Sequence, residues 1–414
     1  MWKFFRNRFK KKLGDTVCLA KWTQSNIYLA TGKTHSCHHP IPHPIPIEEI
    51  KKDPSALHNT CFKIKQRQKM LDGERPSECN YCWRVEDKGG MSDRITKSFT
   101  DWSRPFHSDI LNEGAKGSAP KYLEVSFDNT CNLKCSYCGP SYSSKWVEEL
   151  DKFGPWPNHN SGHDNIPNRE DNPYVEAFWK WWPDLYKQLH TFRITGGEPL
   201  LSKNTYKVID ELKQNPNKKM VLGINTNLSV PQEILDKFIN SVKDIKVKSL
   251  RIHTSCDAHG TAAEYARHGF DYKQWLKNCE RILMEIPGVE LDVMVTYNVF
   301  SVTTFKLFLK DVIQLRNKFK KVGVSIGYLK NPEQLAVWVL PSSFSNHITS
   351  QIEFMKKNNF KTTEINQLER ILPLLEENKD RSKLHKQFIE FVNEHDRRRN
   401  TNFVESFPEM KSMV

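Results

Sequence analysis

The stretch that decides the fold is YLEVSFDNTCNLKCSYCGP, residues 122–140. Its first eight residues, 122–129, alternate like a half-buried strand, with side chains turning to opposite faces at a period of two. Cys131, Cys135 and Cys138 then follow in a C-x3-C-x2-C spacing, and residues 143–153 continue as a helix. Three soft thiolates converging from one short loop can hold an iron–sulfur cube, and three ligands for four irons leave one iron open. By spacing alone, a zinc knuckle short of its fourth ligand or a set of buried thiols also fits.

Outward from this stretch the same texture repeats. Strands are expected at 191–195, 220–225, 249–255, 291–298 and 321–329, with helices at 174–189, 204–214, 231–242, 272–286 and 302–318 between them. Alternation of this kind gives a parallel α/β architecture with crossover helices. Polar and Gly-rich stretches fall directly after strands, at 129–140, 196–199, 225–229 and 255–260. The carboxyl ends of parallel strands are where such folds bind ligands. Residues 158–172 read as an exposed polar loop. Helices are expected at 348–357, 362–377 and 381–396, ending in a frayed, polar terminus. The first 120 residues show little periodicity, and 35–43 (HSCHHPIPH) reads as irregular loop.

Composition narrows the function classes. At about 150 residues per domain, 414 residues suggest two or three domains. Only 38% of the chain is apolar, yet 11% is aromatic, bulk that a disordered chain lacks. No run approaches the 18 apolar residues of a membrane span, so no membrane partner is expected. The basic start, MWKFFRNRFKKKLGD, has no apolar region behind it to serve as a secretory signal and reads as a solvated tail. Lys and Arg outnumber Asp and Glu by 62 to 49, a balance that suggests nucleic acid. The cations are scattered, however, with dense runs only at 10–12 and 397–399, so nucleic acid is not the expected partner. Ten cysteines are too few for a disulfide scaffold. Two short-spaced groups of them point to metal or cluster ligation in a reducing, cytoplasmic compartment.

The segment CNLKCSYC resembles the signature of radical S-adenosylmethionine (SAM) enzymes, and the six-strand pattern resembles their partial (β/α)6, TIM-like barrel. The resemblance covers residues 121–329. It implies a [4Fe-4S] cluster on Cys131, Cys135 and Cys138, with the amino and carboxylate groups of SAM on the open iron. It also implies reductive cleavage of SAM to a 5′-deoxyadenosyl radical that abstracts hydrogen from a substrate. A one-electron reductant such as flavodoxin or ferredoxin would feed the cluster. By the same resemblance Tyr137 lies near the adenine, Gly196, Gly197 and Glu198 of the GGEP segment meet the SAM ammonium, and Asn227 adds polar contacts. Ser255 and Arg267 would face the SAM carboxylate. Each has a plainer reading: packing for Tyr137, a turn for 196–199, a helix cap for Asn227 or Asp257, a surface position for Arg267. Cys256 reads as a core thiol pointing away from its neighbours.

Cys18, Gly32 and Cys37 stand in a C-x13-G-x4-C pattern that resembles the opening of SPASM and Twitch auxiliary-cluster domains, with Cys79 and Cys82 as two further thiolates. The resemblance implies a second, fully ligated [4Fe-4S] cluster in an N-terminal domain. Here the domain precedes the barrel instead of following it, and Cys61 could replace any of the four. His38, His39 and His43 could alternatively join these cysteines in a zinc site. The expected organisation is an auxiliary domain at 1–120, a radical SAM core at 121–335 and a helical extension at 336–414. Auxiliary domains of this kind frequently accompany enzymes acting on peptides or proteins, which makes a peptide or protein the favoured substrate. The rival from another class is a zinc-stabilised, basic nucleic-acid-binding protein, which has no need for residues 196–199. A third reading keeps the SAM cluster and makes the first domain a zinc-bearing peptide clamp.

Overall fold

A computed structural model describes residues 14–116, 119–159, 161–162, 171–376 and 380–414. The basic start and most of the polar insertion expected at 158–172 lie outside them. In chain order the strands are β1 (Gln24–Tyr28), β2 (Lys33–His35), β3 (His43–Pro44), β4 (Tyr122–Ser126), β5 (Lys134–Cys135), β6 (Thr191–Thr195), β7 (Val221–Thr226), β8 (Ser249–Ser255), β9 (Arg267–His268), β10 (Glu290–Tyr297) and β11 (Val322–Tyr328). Nine of them form one sheet in the order β11-β10-β8-β7-β6-β4-β1-β2-β3, and β5 and β9 form a separate pair. From β11 to β1 every neighbouring pair is parallel. The α/β, partial-barrel expectation therefore holds, and all six expected strands are present.

Alternation along the strands explains why the sheet has an apolar and a polar face. Leu123, Val125, Phe192, Ile194, Leu222, Ile224, Ile252, Val293 and Ile326 are buried, each worth about 1.5–3 kcal/mol when fully withdrawn from water. The intervening helices bury one face each, for example Val208, Ile209 and Leu212 of Lys203–Gln214 and Phe305, Phe308, Leu309 and Val312 of Phe305–Lys318. The intervening strand positions carry Glu124, Arg193, Asn225, His253, Asp292 and Ser325, all only partly buried.

Two expectations need correction. The first 120 residues hold regular elements despite their weak periodicity, with 36–42 irregular as expected: β1 pairs in parallel with β4, Gln24 opposite Tyr122 and Tyr28 opposite Ser126, so the sheet runs across position 120. The strand escaped notice because QSNIY has almost no apolar alternation; buried Lys63 satisfies its outward Ser25 Oγ at 2.9 Å and Thr34 Oγ1 of β2 at 2.8 Å. Short helices, including Cys61–Leu71, Asn80–Asp87 and Asp93–Ser98, pack beside it around Trp22, Met70, Trp83 and Ile95. The C-terminus is not frayed either. The helix Ser382–Arg399 buries Phe388, Phe391 and Val392, and Phe403, Phe407, Met410 and Met413 beyond it are buried too. The helix Thr362–Glu369 shields the edge strand β11: Glu364 and Gln367 accept from the backbone N–H groups of Val324 and Ile326, at 3.4 and 2.7 Å. Covering a sheet edge in this way blocks pairing with other chains.

Candidate functional site

The loop after β4 carries Cys131, Cys135 and Cys138 across the carboxyl end of the sheet. Its centre is pinned by the β5–β9 pair, which sets Cys135 opposite Arg267. The Cys138 N–H donates to the Cys135 carbonyl at 3.0 Å, the Leu133 N–H reaches Cys131 Sγ at 3.5 Å, and Arg267 Nη1 reaches Cys135 Sγ at 3.7 Å. All three thiols are half-buried and free. Burial pushes all three away from ionisation; the neighbouring Cys135 adds to this for Cys131, which rises, and for Cys138, which goes up to about 12, while Arg267 opposes it for Cys135. A bound iron reverses that preference, because a metal takes the thiolate form outright. Three free thiols on one loop, with an N–H and a guanidinium already aimed at sulfur, fit the donor set of a [4Fe-4S] cube with an open iron.

Beneath the loop lies a charged clamp that sequence reasoning missed. Arg399, the last residue of its helix, donates to both oxygens of Glu149 at 3.1 Å and to the Lys134 carbonyl at 2.8 Å. Lys134 Nζ and Trp156 Nε1 also donate to Glu149, at 2.9 and 3.0 Å. Trp146 Nε1 holds the Cys135 carbonyl at 3.0 Å. Burial opposes the Glu149 charge, yet hydrogen bonds from Arg399 and Lys134 hold its carboxyl down at about 2. Two of the three cations of the 397–399 run thus work inside the molecule: Arg398 pairs with Glu394 and donates to the Gly154 and Pro155 carbonyls, while Arg397 pairs with Glu394 at the surface.

The GGEP loop follows β6 and presses on the same cysteine loop. A Cβ on Gly197 would lie 2.2 Å from the Thr130 carbonyl oxygen, and one on Gly196 (φ +129°) 2.9 Å from that of Asp128. The glycines therefore permit loop-to-loop contact next to Cys131, a local reason for them that needs no ligand. The Glu198 N–H donates to the Thr130 carbonyl at 2.7 Å. Its buried carboxylate accepts from the Asn227 and Leu200 N–H groups at 2.7 and 3.0 Å. Burial nevertheless pushes Glu198 up to about 7. A carboxylate has about four lone-pair sites, so two backbone bonds and one from the Thr226 side chain leave capacity for a single further donor such as the SAM ammonium. Asn227 continues the stitching, with Nδ2 on Asn132 Oδ1 at 2.9 Å.

Asp257, whose plainer reading was a helix cap, is a hub instead. Its carboxylate accepts from Tyr137 Oη at 2.6 Å, Arg267 Nε at 2.8 Å, Arg267 Nη2 at 3.1 Å and the Thr296 N–H at 2.7 Å. Arg267 is not a surface residue: it is 6% exposed, and its guanidinium lies 5.5 Å over the Tyr137 ring. Burial works against its charge and Asp257 more than offsets that. The structure thus joins Tyr137 and Arg267, and through Arg267 the Cys135 sulfur, by an internal carboxylate that the sequence offers only as a helix cap. Ser255 is half-buried at the carboxyl end of β8. Cys256 points into the core as expected, fully buried, its Sγ 3.2 Å from the Ala258 carbonyl.

Cys18, Cys37, Cys79 and Cys82 line one cavity in the N-terminal region, together with Lys21, Ser36, His39, Asp93 and Arg94. Ser36 Oγ is buried there without a hydrogen-bond partner, and Lys21 pairs with Glu78. Burial raises Cys18, Cys79 and Cys82 as well, Cys82 to about 12. Four free thiols around one space fit a fully ligated cube. Cys61 is exposed and does not line this cavity. His43 bonds Thr60 Oγ1 at 3.0 Å, while His38 and His39 both turn to Asp93.

Comparison with known proteins agrees with this geometry. Residues 125–312 match the Radical SAM superfamily, so this stretch is similar to the domain of a superfamily whose members hold a [4Fe-4S] cluster and SAM. The chain is 29% identical over 175 residues to the molybdenum cofactor biosynthesis protein moc-5 of Caenorhabditis elegans, covering 42% of this chain and 25% of that one. It is 30% identical over 145 residues to the GTP 3′,8-cyclase of Campylobacter lari, covering 34% and 36%. The chain therefore spans about a quarter to a third of the length of these relatives. The SAM-bound crystal structure of Streptococcus suis SuiB is similar at a TM-score of 0.40 and 12% identity, over 81% of this chain and 69% of that one, a likeness too loose to bear on function.

Proposed function

We propose that this chain is a radical SAM enzyme that cleaves SAM reductively and starts hydrogen abstraction from a substrate at the carboxyl end of the sheet. The observation that carries the reading is the cysteine loop itself: three free thiols, gripped by the GGEP loop on one side and by Arg267 on the other. When bound, the cluster and SAM supply the electron transfer and the 5′-deoxyadenosyl radical. The chain's own residues do the rest. Cys131, Cys135 and Cys138 hold the iron. Glu198, with capacity for a single further donor, takes the SAM ammonium, with Gly196 and Gly197 keeping its loop against the cysteines and Asn227 fixing the neighbouring strand end. Arg267, held by Asp257, lends positive charge to the Cys135 sulfur and to an incoming carboxylate, with Ser255 as a second donor. Tyr137 offers a ring face.

Cys18, Cys37, Cys79 and Cys82 would hold a second [4Fe-4S] cluster, making the N-terminal region a Twitch/SPASM-like auxiliary unit that shares a sheet with the core. The polar positions Glu124, Arg193, Asn225, His253 and Asp292 suit a polar substrate group; Arg193 is oriented by Asn225 at 2.8 Å, and Asp292 by Ser325 at 2.9 Å. One named relative acts on GTP, so a polar small molecule replaces the peptide as the favoured substrate class. A one-electron reductant such as flavodoxin or ferredoxin is required. Among the described residues no helix is long and apolar enough to cross a membrane. The test is anaerobic reconstitution, expected to give about eight irons per chain from two cubes, followed by SAM and reductant. Release of 5′-deoxyadenosine supports the reading; folded, oxygen-protected protein that takes up iron at neither site and cleaves no SAM overturns it.

A further inference from the structure

At the mouth of the four-thiol cavity stands a cluster that the proposed chemistry does not use. His38 Nε2 lies 3.2 Å and His39 Nε2 2.9 Å from the same oxygen, Asp93 Oδ2, and the three atoms are within 4.8 Å of one another. The supporting groups are fixed. Asp93 opens the helix Asp93–Ser98, whose next residue, Arg94, is buried in an ion pair with Glu86 and donates to the Val17 carbonyl at 2.8 Å. The His39 ring stacks on Tyr81 with centroids 3.9 Å apart. Two imidazole nitrogens and a carboxylate oxygen form a donor set suited to zinc and its first-row neighbours. Around a tetrahedral zinc with bonds of about 2.0–2.1 Å, neighbouring ligand atoms sit about 3.3 Å apart. The two measured edges differ from that by only a few tenths of an ångström.

We propose that His38, His39 and Asp93 form a mononuclear site for a divalent first-row cation, with zinc as the reference ion, separate from the cysteines and open at a fourth position to water. Its effect is to fasten the segment directly after Cys37 to the helix Asp93–Ser98, so that the wall of the thiol cavity is closed by a metal instead of by a shared proton. Lys97 opposes it. Lys97 Nζ lies 3.0 Å from His38 Nδ1, where an ammonium can only donate, which places the imidazole proton on Nε2. Ligation through Nε2 needs the proton on Nδ1 instead, so Lys97 must swing away when the cation binds.

The site stands independently of the cluster assignment, and one experiment separates them. Full-length protein, anaerobically reconstituted with iron and sulfide, is titrated with cobalt(II) and with zinc, and metal content and absorption are recorded. The expected result is about one extra cation per chain, with cobalt ligand-field bands and no thiolate-to-cobalt charge-transfer band. Asp93→Asn and His39→Ala should each weaken binding by about tenfold or more while iron content stays constant; Lys97→Met should tighten it. No extra cation, a thiolate charge-transfer band, retention of the cation by both Asp93→Asn and His39→Ala, or weaker binding in Lys97→Met overturns the proposal. Loss of iron with the cobalt site intact tells against the second cluster alone.

Discussion

The two thiol groups of this molecule are built in opposite ways. The barrel trio comes from one loop, and the surrounding fold converges on it: the GGEP loop presses on its start, Arg267 and the β5–β9 pair hold its middle, and the Glu149–Arg399 clamp supports it from below. The N-terminal quartet comes from three separated segments, meeting only because β1 and β2 and the helices beside them pack together. Three donors leave a metal corner free for a second ligand; four leave none. On the proposed function, construction and chemistry go together: the group proposed to bind SAM is held by many neighbours, and the group proposed to be fully ligated supplies its own walls.

The largest effect should come from the thiols. Cys135→Ala is expected to abolish 5′-deoxyadenosine release and to halve the iron, whereas Cys79→Ala should also lose iron yet spare uncoupled SAM cleavage. Equal loss of cleavage in both variants, read by chromatography of the nucleoside, would erase the contrast. Next is the clamp. Arg399→Met removes two of the hydrogen bonds to the buried Glu149 carboxylate and leaves Lys134 as its charge partner, so the cost should stay below the roughly 3–5 kcal/mol of a fully uncompensated buried charge. Denaturant unfolding should register most of it, and SAM cleavage should weaken with it. Full stability in this variant would mean that the C-terminal helix does not support the trio.

A smaller, local effect is expected at Gly197. The clash of a Cβ with the Thr130 carbonyl should make Gly197→Ala cost about 1–3 kcal/mol, as overpacking does, and lower iron retention at the trio while leaving the quartet's iron in place. The smallest effect is a matter of pH, measured on iron-free protein. Glu198, raised to about 7 from the ordinary 4.3 or so, binds more protons folded than unfolded. Stability should therefore fall as pH rises from about 5 to 7, and Glu198→Gln should flatten that limb. Glu149, held at about 2, acts in the opposite sense: its contribution is present above pH 4 or so and is lost as pH falls toward 2. A stability profile with no Glu198-dependent limb would mean that its carboxyl is not isolated from water.

The same contrast explains what could be read in the sequence. The strands at 191–195 and 249–255 match the observed bounds because each alternates cleanly between core and polar faces, and the trio is visible because its cysteines are close in sequence. The quartet was visible only through a resemblance, since its spacing has no local geometry to report. β1 was missed because a buried lysine, not an apolar partner, satisfies its outward face. Arg399 stands out in the sequence only as part of a dense basic run, because nothing local distinguishes a cation bound for Glu149, 250 positions earlier, from one bound for solvent. Asp257 looked like a cap, and its true partners come from three other parts of the chain.

The most direct test is electron paramagnetic resonance of the reduced, reconstituted protein, with and without SAM, in two variants. One has Cys79 and Cys82 replaced by Ala; the other has Cys131, Cys135 and Cys138 replaced by Ala. The account predicts that SAM shifts the cluster signal of the first and leaves the signal of the second unchanged. A SAM-induced shift in the second variant, or an iron-loaded first variant indifferent to SAM, would contradict it.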